Sequence, residues 1–351
     1  MEERKVVHKV NSTPPSLMYG HTITPLSIIT AYQDTEDWLF SNYIQLCAPK
    51  KIRKYGHTDV EFLNFYPKYF SDMDSFYLKS YNLVENILEL TPDNIIEYFV
   101  KWLGCGYYIQ AFLDDGDLPG TREYQSGEHF LNEHLIYGYS LDEEMFYIIG
   151  FDERDNLSKM TLSFPDLIRI FFSDISKKLV RESEWMSVGN EYGLMLYKFQ
   201  NDIKFPFSIL NIINQIEDYV SGRNSALNLM WLNAEKVDFV FGLNVYTALK
   251  DWVLLKDDYI DHRSFCGLYD HKVMMKNRIQ CLQEKGFIKD CSIYSEYDNV
   301  IKHCEKIKFM VLKYNYYHCD GDHIKIADRL GEVRAMEEPI LRKLIKELKN
   351  Q

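Results

Sequence analysis

The stretch EHLIYGYSLDEEMFYIIGFDE, residues 133–153, holds two apolar runs on either side of an acidic centre. Their β-branched and aromatic content marks the runs as strands and the SLDEE segment as the loop between them. If Ser140 faces Phe146 and Tyr139 faces Tyr147, then His134 lies opposite Asp152. Directly opposed residues share a sheet face with β-carbons about 4.5–5.5 Å apart. A slip of one residue would send the two side chains to opposite faces. In this register the hairpin offers an imidazole held by a carboxylate, the base half of a nucleophilic triad: the carboxylate fixes the tautomer and stabilises the imidazolium. The plainer reading is a structural polar contact.

Working outward, YYIQAFL (107–113) and HFLNEHLIYGY (129–139) read as further strand material, with DDGDLPG as a loop. Residues 73–103 read as helical, with Thr91 capping ahead of Pro92. The segment TPLSIITAYQDTEDWLFSNYIQLC (24–47) reads as an extended apolar run that turns at TAYQD into an amphipathic helix over 33–47, carrying Trp38, Leu39, Tyr43 and Leu46 on one face and Asp34, Glu36 and Asp37 in its first turn. Such a joint is where a nucleophile would gain from the helix dipole and free backbone N–H groups. The residue there is Ala31. From about residue 176 nearly every segment reads as helix, so the expected organisation is α+β, with domains 1–175 and 176–351.

The net charge of −12 and the pI near 5.4 argue against nucleic acid as a partner. No apolar run is long enough to span a bilayer, so no membrane partner is expected. Seven scattered cysteines without CxxC spacing point to free thiols in the cytoplasm. No Walker loop or GxGxxG is present, so nothing indicates nucleotide activation. The donor-rich YYHCDGDHIKIAD (316–328), with His318, Cys319, Asp320, Asp322 and His323, could bind a metal but lacks zinc-finger spacing and reads as an interhelical loop. No metal is expected.

The order CGYYIQAFLDD (105–115), LPG (118–120), HLIYGYS (134–140) and YIIGFD (147–152) resembles the N-terminal domain of the butirosin biosynthesis protein H family, over roughly residues 20–175. That resemblance implies a papain-like, C39-peptidase-like catalytic domain followed by a helical domain. It also implies acyl transfer from a thioester on the phosphopantetheine of an acyl or peptidyl carrier protein to a small primary amine, with no other cofactor. It maps the family's cysteine onto Ala31, the base onto His134 and its orienting acid onto Asp152; Asp114 or Asp115 ends the preceding strand. Pro25 stands where related peptidases place a glutamine donor, leaving the backbone N–H of residue 31, Gln33 or Tyr32 for the oxyanion, with Asp115 nearby. Two explanations of Ala31 stay open: an inactivated cysteine-to-alanine form, or a pseudoenzyme that binds without catalysing. Cleavage by a C39-like peptidase would use the same triad. PKKIRKYGH (49–57) is the candidate basic patch for an acidic carrier.

Overall fold

In a computed structural model, residues 3–50, 63–66, 76–83, 88–182, 193–228, 238–255 and 259–350 are described. The first elements in chain order are β1 (Lys5–Val7), α1 (Gly20–Ile29), α2 (Glu36–Ser41), β2 (Leu46–Pro49), β3 (Asn64–Phe65), β4 (Leu78–Asn82) and α3 (Ile95–Gly104). Then come β5 (Tyr107–Asp114), α4 (Arg122–Ser126), β6 (Leu131–Ser140), β7 (Met145–Phe151), β8 (Leu157–Ser163), α5 (Phe164–Phe171), α6 (Asp174–Glu182) and β9 (Leu194–Phe199). The rest is α7 (Ile209–Ser221), β10 (Phe239–Phe241), α8 (Val245–Leu254), α9 (Arg263–Glu284), α10 (Ser292–Tyr317) and α11 (Asp322–Lys349). The architecture is mixed α and β, with an antiparallel sheet and a helical C-terminal region.

The chain forms two compact units: residues 1–14, 19–33 and 70–204, and residues 15–18, 34–69 and 205–351. This division differs from a single boundary near 175. The strand β9 lies inside the segment read as helical, yet it is central to the sheet of the first unit, whose order is β4-β9-β5-β6-β7-β8 with β1 also pairing β6. On one face of that sheet, Ile109, Ala111 and Leu113 of β5, Ile136 of β6, Phe146 and Ile148 of β7 and Leu194 and Leu196 of β9 pack against Ile95, Phe99 and Leu103 of α3 and Leu167 and Ile170 of α5. Ser163 caps α5 by accepting from the Asp166 N–H at 3.1 Å, with Pro165 in the first turn where its missing N–H costs nothing. The opposite face carries α1, whose Gly20, Ile23, Thr24 and Ser27 lie against Glu133 and Leu135 of β6 and Ile149 and Phe151 of β7.

Three expectations fail locally. Residues 20–29 are helical, and the helix of 33–47 is confined to 36–41, with Tyr43 at φ 54° and strand β2 following. Every residue of α1 from Thr22 to Ile29 is buried, so no polar stripe reveals the helical period, and its β-branched residues and internal Pro25 imitate an extended run. Residues 78–82 are strand β4, and helix in the 73–103 region begins at Ile95 among the described residues. The basic stretch 49–57 lies outside the described residues except Pro49 and Lys50.

In the second unit β10, β2 and β3 form a small antiparallel sheet, and the remainder is helical. Among the described residues no helix is long and apolar enough to cross a membrane.

Candidate functional site

The decisive hairpin does not adopt the expected register. Ser140 pairs with Met145, Tyr139 with Phe146 and Gly138 with Tyr147; an irregularity between Ile136 and Gly138 then shifts Ile136 onto Ile148 and Leu135 onto Ile149. This bulge inserts a residue that alternation alone does not disclose. It places His134 beside Gly150, where any β-carbon would lie 2.5 Å from the imidazole Cδ2. Glycine is what leaves room for the ring.

Asp152 is therefore not the partner of His134. It organises the turn between β7 and β8, accepting from the Arg154 N–H at 2.9 Å, the Asn156 N–H at 3.0 Å and the Ser158 hydroxyl at 2.7 Å. These bonds, Ser158 first, hold its carboxyl below the usual carboxylate range. The partner of His134 is Asp115, one residue beyond β5: Nε2 stands 3.0 Å from Asp115 Oδ1, at ion-pair distance but without hydrogen-bond alignment. Asn132 Nδ2 donates to Asp115 Oδ2 at 2.9 Å, and the Asn132 carbonyl lies 3.3 Å from His134 Nδ1. Both the imidazole and the carboxylate are buried, so Asp115 lines no open substrate surface.

Alternation along β6 decides what this pair can reach. His134 shares the face of Ile136 and pairs across to Ala111, both in the core covered by α3 and α5. Glu133 and Leu135 point to the other face, where α1 lies. Residue 31 follows the C-terminal end of α1, and its N–H donates to the Ile28 carbonyl at 3.2 Å. A thiolate there would meet the negative end of the helix dipole, with the N–H groups of residues 31 and 32 already donating to the Ile28 and Ile29 carbonyls, the reverse of what activates a cysteine. Gln33 is exposed. Tyr32 is engaged: its hydroxyl lies 2.9 Å from that of Tyr108, and its ring stacks on Phe199 with centroids 3.7 Å apart. Tyr77 lies parallel to Phe199 with ring centroids 5.7 Å apart, and the Lys9 ammonium sits 5.5 Å from the Tyr32 ring centre.

Three features escaped the sequence reading. At the α1 N-terminus a β-carbon on Gly20 would fall 1.2 Å from Glu133 Oε2, so the carboxylate lies against the positive end of the helix. A cavity of about 30 Å³ adjoins it, lined by Gly20, Thr24, Ser27, Asn132 and Glu133 among others, which is room for a single water. Burial, and next the charge of Glu133, push the neighbouring Tyr197 hydroxyl well up.

The second feature is Asp114. Its carboxylate is fully buried and accepts from the Gly116 and Phe130 N–H groups at 3.0 and 3.1 Å, while Oδ2 lies 2.7 Å from Nδ1 of the half-exposed His129. Adjacent aspartates in DDGD thus hold two different histidines. Asp117 completes a group of three metal-capable donors with Asp114 and His129, but Arg169 already stands 3.4 Å from Asp117. The donors gathered in 316–328 form no such group among the described residues; Asp322 pairs with Lys325 at 2.8 Å, and His318 is the left-handed cap of α10.

The third lies in the helical unit. Lys272 of α9 is completely buried and donates to Glu337 Oε1 of α11 at 2.9 Å and to the Tyr219 hydroxyl at 2.6 Å. Tyr297 and Tyr246 donate to the same carboxylate at 2.6 and 2.7 Å. His271 Nε2 lies 2.8 Å from the Ile44 carbonyl and Nδ1 lies 3.1 Å from Lys272 Nζ; burial, then Lys272, hold the imidazole neutral far below its usual value.

None of the seven cysteines forms a disulfide: Cys47 is buried, and Cys105 is exposed at the end of α3. No protein-family model matches this chain, and no curated protein matches it. The likeness carried by the strand motifs therefore contributes only to the reading proposed next.

Proposed function

We propose that this chain is a noncatalytic acyl-binding protein, built on the papain-like plan of thioester-dependent acyltransferases and acting in natural-product assembly. The observation that carries this reading is the separation of the triad positions: His134 with Asp115 faces one side of the sheet, and α1, which leads to Ala31, covers the other. Buried imidazole and carboxylate without a nucleophile on their face hold strands together; they do not activate a thiol. The half-buried Tyr32 and Phe199 rings beside residue 31, backed by the buried Tyr77, supply flat apolar surface for an acyl chain or aromatic acyl group. The acyl group would arrive on a carrier protein's phosphopantetheine, and the free thiols suit a reducing cytoplasm.

The test uses the native chain and Ala31→Cys with a panel of acyl thioesters and a non-hydrolysable thioester analogue. Thermal stabilisation of the native chain by the analogue, and no covalent adduct on either form by intact-protein mass spectrometry, is the expected result. A second reading, amide-forming acyl transfer through a cysteine at position 31, is favoured by the half-buried turn position of Ala31 beside Tyr32. An adduct on Ala31→Cys that a primary amine discharges would establish that reading and overturn the first; peptide cleavage by the same variant without amine would establish a peptidase.

A further inference from the structure

The outer face of α10 stands apart in a chain of net charge −12. Lys302, Lys306, Phe309, Lys313 and Tyr316 recur at steps of four and three residues, which aligns them along one side of a helix. The middle of the stripe is apolar and in water: Phe309 is 56% exposed, Leu312 40%, Tyr316 78% and Tyr317 64%. Contiguous exposed aromatics rimmed by charge mark an interaction surface, because each would be more stable out of water. Two of its three lysine charges, Lys302 and Lys306, are also available. Elsewhere in the helical unit Lys276 pairs with Asp298, Lys285 with Asp37, and Lys349 with Glu217. Lys302 and Lys306 have no carboxylate partner among the described residues, whereas Lys313 stands 3.6 Å from Asp322, the exposed Glu305 shares this side of the helix, and Lys308 lies over the rings of Tyr269 and Phe309 at 4.5 and 5.1 Å.

We propose that this face of α10 docks a carboxylate-rich helical protein domain, with Phe309, Leu312 and Tyr316 filling an apolar groove and Lys302 and Lys306 meeting the surrounding carboxylates. The inference rests on the reading above in one respect: the domain it fits is the carrier that brings the acyl group. From Lys302 to Tyr317 the stripe spans about 22 Å, the length of one short helix of a partner. An anionic bilayer is the poorer match. It is a plane wider than the stripe and would face the repulsion of the whole acidic chain, whereas a small domain engages the stripe alone, since charges beyond about 8–10 Å are screened.

The experiment measures fluorescence anisotropy of a labelled stand-alone acyl carrier protein, with and without its phosphopantetheine arm, against the native chain, Lys302→Glu/Lys306→Glu and Phe309→Ser. All substituted side chains are on the helix surface, and circular dichroism checks that each variant folds. The native chain should bind both carrier forms, more weakly as salt rises. The charge reversal should weaken binding about tenfold or more and flatten the salt dependence, and Phe309→Ser should weaken it comparably. No binding by either carrier form, or binding that ignores both variants, overturns the proposal. So does Phe309-dependent binding to phosphatidylserine vesicles in place of the carrier, or Phe309-dependent dimerisation of the chain. Docking of the armless carrier reports the α10 face alone, while the thioester-analogue experiment reports acyl binding alone, so either reading can fail without the other.

Discussion

At the scale of single residues, the central fact is which carboxylate faces His134. A buried charged group loses far more from the removal of its partner than an exposed one does. A double-mutant cycle on urea unfolding with His134→Ala and Asp115→Ala should give a coupling of about 1–3 kcal/mol, whereas His134→Ala with Asp152→Ala should be additive within about 0.5 kcal/mol. Coupling to Asp152 in place of Asp115 would restore the register expected from the sequence and overturn the observed one. Much of this residue scale was legible. The strand-ending DD, the histidine strand and the closing aspartate were all visible, and Asp115 was already among the site residues. What could not be read were two one-residue shifts: the turn pairs Ser140 with Met145 in place of Phe146, and the bulge between Ile136 and Gly138 adds a second shift, so every partner beyond it is reassigned.

At the scale of elements, the sheet strands β5, β6 and β7 were legible because each carries a run of apolar residues bounded by turn signals. The helix α1 was hidden because it is buried on all sides, and the network across α7–α11 was hidden for a related reason: a lysine and a glutamate in helical sequence read as solvent-facing. Lys272 and Glu337 are instead at the centre of the helical unit, satisfied by Tyr219, Tyr246 and Tyr297. Lys272→Met leaves the Glu337 charge buried without its cation and should lower stability by about 3–5 kcal/mol; Lys272→Met/Glu337→Leu should recover a large part of that loss, since an apolar pair of similar volume carries no desolvation penalty. Equal losses in the single and double variants, measured by urea midpoint at constant m, would show that the network's geometry rather than its charge balance holds the helices. His271 adds a pH dependence with a definite sign. Burial holds it neutral in the folded chain, with its value far below the ordinary one. The unfolded chain takes up a proton as pH falls below about 6.5, and the folded chain does not, so stability falls with pH in that range by up to about 1.4 kcal/mol per unit from this one group. The variant His271→Gln should show a flatter stability profile between about pH 6.5 and 5 than the native chain; an unchanged slope would mean that other groups dominate there.

At the scale of the whole molecule, the chain crosses between its two units more than once, and β9 makes the consequence testable. This strand pairs with β4 on one side and β5 on the other, so Tyr107–Ala111 of β5 depend on it for half of their ladder. The segment after residue 175 reads as helix from α6 onward, and nothing local marks LMLYKF as the strand that fills the sheet; non-local pairing of this kind is invisible to periodicity. A chain truncated after residue 175 would retain every strand motif that the sequence reading relied on. It would also expose the buried edge of β5, including Ile109 and Ala111, and strand β4 would have no neighbour in the sheet. Unpaired buried N–H and C=O groups along such an edge are costly, and they template association with other chains. The 1–175 fragment should therefore give a poorly dispersed amide spectrum and concentration-dependent aggregation under conditions in which the full chain is monodisperse. A well-dispersed, protease-resistant 1–175 fragment would mean that the sheet closes without β9, and that the boundary read from composition is the true limit of a self-sufficient domain.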